Sequence, residues 1–142
     1  MTDTLSLYSV AEKNNIPVIQ FNLPATESMS IQSGSGCYIG IDYKQMKDQA
    51  SERVHLAHEL GHCMTGAFYC RQAVADLRQR HENRADKWAI EHLISCDQLD
   101  QAVADGHTEI WDLAELFGVS EEFMKKAVCL YTYGNVAAEM YF

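Results

Sequence analysis

The chain has 142 residues and a mass of 16.0 kDa, a length typical of one domain, and we expect a single domain over residues 1–142. Its composition, 47% hydrophobic and 22% charged, is typical of soluble globular proteins. Eleven basic residues against twenty acidic ones give a formal net charge of -9, so the average field of the protein repels phosphate backbones and anionic lipid. These values argue against direct nucleic-acid binding and against a membrane partner.

The first third of the chain predicts one helix followed by three short strands. Apolar residues at helical spacing indicate a helix over residues 4–13, with Thr2 or Thr4 as the N-cap. The segment Ser33-Gly34-Ser35-Gly36 is typical of a hairpin turn, because glycine tolerates positive φ, so the second and third strands should be antiparallel. Alternating apolar and polar residues place the strands at about 19–23, 29–32 and 37–41.

From about Lys47 onward the pattern is helical. We expect the apolar stripe of the first long helix to face the core, namely Val54, Ala57, Gly61, Met64 and Phe68. Further helices are predicted up to about Ser95, and then at 96–104, 109–117 and 121–131. The order is therefore α+β, with an N-terminal helix, a small, mostly antiparallel three-stranded sheet and a mainly helical C-terminal part.

The pentapeptide His58-Glu59-Leu60-Gly61-His62 lies in the first long helix and matches the His-Glu-x-x-His pattern of zinc peptidases. Four residues advance an α-helix by about 400°, so the two histidines project from nearly the same face and can share one ion. Glu59 is aimed to reach a water on that ion, which is the position of a general base. Gly61 allows a strand or a second helix to approach closely. The alternative is an exposed helix with two solvated histidines.

A catalytic zinc needs a third protein ligand, and the next helix offers Glu82 and Asp86 on one face. Glu82 is the candidate ligand, and Asp86, one turn further, is placed to accept a hydrogen bond from the free ring nitrogen of a ligand histidine. Both could instead be solvated charges near a helix start. His81 and Glu91 are the reserve candidates for the third ligand.

His55 lies three residues before the first motif histidine. A third histidine on the same helix does not easily complete a tetrahedron with the other two. We therefore expect His55 to lie at the surface or to support the ligands from outside the coordination sphere.

These residues resemble the ImmA/IrrE family of zinc-dependent metallopeptidases. The resemblance rests on the pentapeptide and on Glu82-x-x-Ala85-Asp86-x-Trp88-Ala89 about twenty residues later, and it covers most of residues 4–95. It implies a minimal zincin-like fold, with residues 1–95 as the catalytic core and 96–142 as a helical tail. It also implies zinc ligands at His58, His62 and Glu82, and a catalytic acid/base at Glu59. Some members cleave helix-turn-helix repressors of phages and mobile elements, so such a repressor is the expected protein substrate.

The resemblance also suggests how a substrate is held. The strand around residues 37–41 is the expected edge for aligning an extended peptide, with Gly40 allowing close approach. An oxyanion-stabilising group is also needed, and Tyr38, Tyr69 and His81 are the candidates. The alternative function is a zinc-containing regulatory protein that binds a repressor without cutting it, although such a protein has no use for Glu59 beside an open coordination position.

The segment Asp112–Phe123 resembles the sequence of a helix-turn-helix motif, in which two crossed helices pack against each other. We expect it to serve packing rather than DNA recognition, because Glu115, Glu121 and Glu122 outweigh the two nearby lysines.

The sequence predicts a cytoplasmic protein. It has no run of about eighteen apolar residues, and residues 1–4 lack the basic and apolar regions of a signal peptide. The cysteine count is odd and no Cys-x2-Cys pair occurs, so reduced thiols are expected throughout. The cysteines are Cys37, Cys63, Cys70, Cys96 and Cys129.

Overall fold

The structure is a computed structural model that describes residues 3–34, 36–69 and 73–142. Its elements confirm the predicted α+β order of a leading helix, a three-stranded sheet and then helices. The helices are α1 (Thr4–Lys13), α2 (Gln49–Thr65), α3 (Ala75–Leu93), α4 (Cys96–Ala104), α5 (Ile110–Phe117) and α6 (Glu121–Tyr133), and the strands are β1 (Val18–Gln20), β2 (Ser28–Ser33) and β3 (Gly36–Ile41). Short 3-10 helices cover Tyr43–Gln45 and Ala138–Met140.

The first helix has the predicted bounds but a different N-cap. The Asp3 side chain accepts the backbone N–H of Ser6 at 2.8 Å, which satisfies one of the free donors of the first turn. Of the two predicted caps, Thr4 is the first residue of the helix itself and Thr2 lies outside the described residues. The aspartate between them takes the role because its carboxylate reaches the third residue along the chain.

The sheet has the order β1-β3-β2, and this order corrects one expectation. The β2–β3 pair is antiparallel, as predicted, and is joined at Gly34, whose φ is +57°. The β1–β3 pair is parallel, so β3 is hydrogen-bonded on both sides. The interpretation of residues 37–41 as a free edge for a peptide is therefore wrong, and β2 is the edge strand on that side of the sheet.

Gly40 allows a close contact, but with the protein itself. A Cβ at Gly40 would lie 2.7 Å from the Phe21 ring, so this side chain fills the space that we assigned to a substrate. The reason is local: β1 runs beside β3, and the chain leaving β1 carries Phe21 across the position opposite Gly40.

The second helix begins at an Asp48 cap and ends at Gly66, whose left-handed conformation stops it. Ala57 and Gly61 of the predicted stripe are buried, whereas Met64 is exposed and Phe68 lies beyond the helix. Two faces of the helix are covered, one by the sheet and one by α3, so a single stripe does not describe its buried residues. Those residues are Arg53, Leu56, Ala57, Glu59, Leu60, Gly61 and His62.

The helices α2 and α3 meet at Gly61. A Cβ there would lie 2.4 Å from the carbonyl oxygen of Ala85 and 2.9 Å from its Cα, so any larger residue would push the backbones apart. The neighbour that Gly61 admits is therefore the helix α3, and a helix was one of the two alternatives that the sequence left open.

The C-terminal helices close the core over α3. Met124 and Ala127 of α6 are fully buried, and the Tyr131 hydroxyl donates to the carbonyl oxygen of Ile94 at 2.6 Å. Between α5 and α6, Phe117 and Val119 are buried at the turn. No helix among the described residues is long and apolar enough to cross a membrane.

Cys37 and Cys63 form a disulfide, so the expectation of reduced thiols is wrong for this pair. The bond links the start of β3 to the last turn of α2, and the two positions are 26 residues apart. Spacing in the sequence did not reveal the pair because the sheet and the helix meet only in the folded chain. Cys96 is free and exposed, Cys129 is free and buried, and Cys70 lies outside the described residues.

Candidate metal centre

The packing of α2 against α3 brings His58, His62 and Glu82 together. His58 Nε2 lies 2.9 Å from Glu82 Oε2, and His62 Nε2 lies 3.0 Å from Glu82 Oε1. The two Nε2 atoms are 3.2 Å apart, and all ligand atoms of the set lie within 4.8 Å of one another. The spacing of four residues along α2 aligns the two histidines. The close contact at Gly61 brings the Glu82 carboxylate of α3 to them.

Each histidine is oriented by a partner on its other ring nitrogen. His62 Nδ1 lies 2.6 Å from the carbonyl oxygen of Ala67, an acceptor, so Nδ1 carries the proton and donates. His58 Nδ1 lies 2.8 Å from Asp86 Oδ1 and donates to this carboxylate in the same way. Both rings therefore present Nε2 to the cluster, the arrangement by which outer carboxylates and carbonyls fix ligand histidines.

The tail contributes to this outer layer. Lys126 of α6 donates to Asp86 Oδ2 at 3.1 Å, while the other carboxylate oxygen faces His58. Burial by itself raises the pKa of Asp86, but the hydrogen bond and charge of His58, followed by the charge of Lys126, outweigh it and lower the pKa. Asp86 is consequently held as a carboxylate between two hydrogen-bond donors.

The electrostatics of the metal-free cluster favour charged groups. Burial opposes a charge on His58, but hydrogen bonds to Asp86 and Glu82 outweigh it and raise the pKa of His58 to about 10. For His62, burial again lowers the pKa, but the hydrogen bonds to Glu82 and Ala67 outweigh burial, and the pKa is raised. Burial raises the pKa of Glu82, yet the two imidazoles hold it well below its usual range. Without a cation, protons on the imidazoles balance the buried carboxylates.

The donor set fits a divalent metal. Two imidazole nitrogens and one carboxylate are the protein ligands of one class of catalytic zinc site, which leaves a fourth position open. Ligands about 2.1 Å from a tetrahedral zinc lie about 3.4 Å from one another. The two Nε2 atoms are 3.2 Å apart, and they lie 2.9 and 3.0 Å from different oxygens of Glu82. These distances are slightly shorter than about 3.4 Å, so small outward movements of the side chains would admit the ion.

Glu59 lies beside this cluster but outside it. It is buried, 7% exposed, and its Oε2 accepts a hydrogen bond from the Ser28 hydroxyl at 2.7 Å. Its position next to His58 on α2 agrees with the helical geometry that separates a base from the ligands. The carboxylate is thus held near the cluster by the first residue of β2.

A cleft of about 400 Å³ opens over these residues. It is lined by the start of β2, with Ser28, Met29 and Ser30, and by Phe68 and Tyr69. The Tyr69 hydroxyl donates to Glu82 Oε1 at 3.1 Å. The three candidate ligands and Glu59 line the same cleft, so a chain lying along β2 would pass close to them.

The register exposes backbone groups of β2 to this cleft. The N–H of Asp42 donates to the carbonyl oxygen of Glu27, and pairs alternate along an antiparallel ladder, so Ser28, Ser30 and Gln32 direct their backbone groups away from β3. In agreement, the carbonyl oxygen of Ser28 accepts a hydrogen bond from the Thr26 side chain and none from β3. These outward groups are what an added strand would pair with.

The remaining candidates are dispersed. Of the three predicted oxyanion groups, Tyr69 lines the cleft and Tyr38 does not. His81 stacks on Tyr69, and its buried Nδ1 has no hydrogen-bond partner among the described residues. Glu91 is exposed and points to Lys87, away from the cluster. His55 lies outside the cluster and contacts Ser28 and Glu27, as discussed below.

The sequence did not indicate three residues that orient the site. Ser28 and Lys126 act on groups 31 and 40 residues away, and neither belongs to a recognisable motif. Ala67 contributes only its backbone carbonyl, which every residue has. The one local signal for the Ala67 contact is Gly66. A helix that ends at this glycine turns the chain back, so that the carbonyl of Ala67 lies near the last turn of α2, which carries His62.

Comparison with known proteins gives one family and no individual relative. The Peptidase_M78 family model, described as the IrrE N-terminal-like domain, matches residues 11–128. This span contains the whole sheet, the helices from α2 to α5 and every residue of the cluster. No curated protein and no solved structure matches the chain.

Proposed function

The chain belongs to the Peptidase_M78 family, the IrrE N-terminal-like domain, and from this membership we propose that it is a zinc-dependent endopeptidase that cleaves a specific protein. The observation that carries the proposal is the convergence of His58, His62 and Glu82 beside Glu59, under a cleft bounded by a free strand edge. The family implies a metal, and the choice of zinc rests on the two imidazoles and one carboxylate.

His58, His62 and Glu82 would hold the ion, with Asp86 fixing the ring of His58. Bound there, zinc supplies Lewis acidity for a peptide carbonyl and lowers the pKa of a water toward about 7. Glu59 takes a proton from the attacking water and later returns it to the departing amine. Tyr69 is the candidate for stabilising the developing oxyanion, because it lines the cleft and its hydroxyl, which donates to Glu82 in the structure, could turn to that oxygen.

The substrate is aligned by β2 rather than by β3. An extended segment that adds to the outward backbone groups of Ser28 and Ser30 receives main-chain hydrogen bonds regardless of its side chains. Its scissile bond then lies over the cluster, because β2 forms the wall of the same cleft. Specificity must therefore come from the side-chain pockets and from surfaces outside the cleft.

The proposed substrate is a helix-turn-helix repressor. DNA-binding proteins carry basic surfaces, and the net charge of -9 on this chain attracts them by long-range electrostatics. The same charge argues against binding to the DNA itself. The competing function, a zinc protein that grips a repressor without cleaving it, keeps the three ligands but gives Glu59 no role.

The test compares the wild type with Glu59→Gln. Both are loaded with zinc and mixed with a helix-turn-helix repressor from the same genomic neighbourhood and with an internally quenched peptide library. We expect equal zinc content by elemental analysis and loss of cleavage by about 100-fold or more in the variant, since general acid–base catalysis contributes about that much. Equal cleavage by the two proteins would remove Glu59 from the mechanism, and binding of the repressor without cleavage would favour the regulatory alternative.

The third ligand is tested by Glu82→Ala. We expect zinc occupancy to fall markedly, because a site without the Glu82 carboxylate keeps only two protein ligands. The matched control is Glu91→Ala, an exposed glutamate on the same helix, which should retain full occupancy. Full occupancy in Glu82→Ala would instead assign the third ligand to Asp86 or His81.

A further inference from the structure

We propose that Ser28 and His55, backed by Glu27, are positioning residues that fix one oxygen of the Glu59 carboxylate and leave the other free to exchange protons in the cleft. The inference rests on the proposed peptidase function. It concerns a chain of hydrogen bonds that runs from β2 to the candidate base and does not touch the three candidate ligands.

The link nearest to the base is the contact between Ser28 and Glu59. Ser28 Oγ lies 2.7 Å from Glu59 Oε2, and both residues are buried, at 6% and 7% exposed. An ionised carboxylate can only accept, so the serine hydroxyl donates its single proton. A charged acceptor in a buried setting makes this one of the stronger hydrogen bonds of the site.

The next link determines where the serine hydroxyl points. His55 Nδ1 lies 2.8 Å from the same Ser28 Oγ. Because the hydroxyl proton is already directed at Glu59, the oxygen must accept from the N–H of His55. His55 and Glu59 are four residues apart on α2, so they lie one turn apart on the same face, and Ser28 bridges them from the strand.

The outer link holds the imidazole. His55 Nε2 donates to Glu27 Oε2 at 2.6 Å, and Glu27 directly precedes Ser28 in the chain. With Nδ1 donating to Ser28, the ring carries a proton on both nitrogens and is a cation beside the Glu27 carboxylate. Both ring nitrogens of His55 are therefore occupied by partners from the start of β2. The ring cannot rotate without breaking both contacts, which keeps the serine hydroxyl directed at Glu59.

The second oxygen of Glu59 is the one available for chemistry. Among the described residues, Oε1 has no hydrogen-bond partner, and it is not among the buried atoms that lack one. Oε1 is thus open to the cleft, while Oε2 is held by Ser28. Fixing one oxygen limits rotation of the carboxylate, and a base that is already aimed loses less entropy in the transition state.

The experiment measures kcat and KM for Ser28→Ala, Ser28→Thr and the matched control Ser33→Ala, with the repressor and the peptide library named above. Ser33 is the exposed serine at the other end of the same strand. For Ser28→Ala we expect kcat to fall about tenfold or more with little change in KM, because misplacement of a catalytic group costs rate rather than binding. Ser28→Thr keeps the hydroxyl and should restore most of kcat, and Ser33→Ala should match the wild type.

A second readout does not need activity. Crystals of the metal-free proteins should show one conformer of the Glu59 carboxylate in the wild type and more than one in Ser28→Ala. Unchanged kcat in Ser28→Ala, a change confined to KM, or a single unchanged Glu59 conformer would each overturn the positioning role.

The two proposals fail separately. An active wild type, an inactive Glu59→Gln and a fully active Ser28→Ala would contradict the positioning role alone. A wild type no more active than Glu59→Gln would contradict the peptidase proposal, and the crystal comparison would then decide whether Ser28 orders the carboxylate.

Discussion

Asp42 shows how one carboxylate organises the segment that leads into the cleft. It follows β3, is 6% exposed, and accepts hydrogen bonds from the backbone N–H of Leu23 at 3.1 Å and from the side chains of Gln45 and Gln20 at 2.9 and 3.2 Å. The Gln45 side chain in turn donates to the carbonyl oxygens of Leu23 and Thr26. The loop before β2 is therefore tied to the end of β3, and this loop sets where Glu27 and Ser28 begin.

This arrangement predicts a pH dependence. The hydrogen bond from Gln45, followed by that from the Leu23 N–H, lowers the pKa of Asp42 to about 2, below its usual value of 3.8. A carboxylate whose folded pKa is depressed stabilises the fold above its unfolded pKa, and this contribution is lost as the pH falls through the folded value. The stabilisation by the Asp42 carboxylate is therefore lost as the pH falls from about 4 to about 2.

The measurement is urea unfolding of the wild type and Asp42→Asn at several pH values. We expect the variant to be less stable at pH 6 and the difference to shrink between pH 4 and pH 2, where the wild-type carboxylate becomes protonated. A difference that does not change over this range would show that the charge of Asp42 has no part in the stabilisation.

At the scale of single residues, the sequence indicated the groups that follow a spacing rule. His58 and His62 share a face because they are four apart, and Asp86 follows Glu82 by the same interval, so the structure places all four side chains on facing sides of α2 and α3. The orienting contacts from Ser28 and Lys126 could not be predicted, because they join positions that only the tertiary fold brings together.

The contact between α2 and α3 depends on the missing side chain of Gly61. Alanine has the better helix propensity, by about 1 kcal/mol. Its Cβ would, however, lie 2.4 Å from the Ala85 carbonyl oxygen, an atom of the helix backbone that cannot rotate away. Overpacking of this kind costs about 1–3 kcal/mol, so steric repulsion exceeds the gain in propensity.

We therefore expect Gly61→Ala to lower the free energy of unfolding by up to about 2 kcal/mol and to weaken zinc binding, since the helices that carry the candidate ligands must separate. Calorimetric titration with zinc and urea unfolding measure the two effects. The control is Gly36→Ala, whose Cβ would meet its nearest neighbour at 3.9 Å. A variant as stable as the wild type would mean that the helices can shift without cost.

Element boundaries were predictable where caps and glycines mark them, and strand order was not. The helix over 4–13 and the hairpin at Gly34 follow from local chemistry. By contrast, the parallel pairing of β1 with β3 is a long-range choice, and it alone makes β3 central and β2 the edge. Apolar and polar residues alternate along residues 37–41 in the same way whether β3 is the central strand or an edge strand. The pattern therefore could not distinguish these two strand orders.

For the whole molecule, the disulfide is the strongest single constraint on the unfolded chain. It closes a loop between positions 26 residues apart, and the chain-entropy relation assigns such a loop about 3.5 kcal/mol of stabilisation. It joins the sheet to α2 one residue beyond His62, so it also restrains the end of the helix that carries the candidate ligands.

We expect the double variant Cys37→Ser/Cys63→Ser to lose about 3.5 kcal/mol of unfolding free energy in urea, and a thiol reductant to have the same effect on the wild type. Cys96→Ser, which removes an exposed free thiol, is the control and should leave the stability unchanged. If reduction leaves the wild-type midpoint in place, the link does not form in solution.

The contact of α2 with α3 also restricts which cations the protein can accept. The two backbones already touch beside the histidines, so the helices cannot move closer to grip an ion of smaller radius. Adaptation to ionic size must then come from torsions of three side chains. Calcium, which takes about six to eight oxygen ligands, finds one carboxylate and two nitrogens here, so this donor set disfavours it.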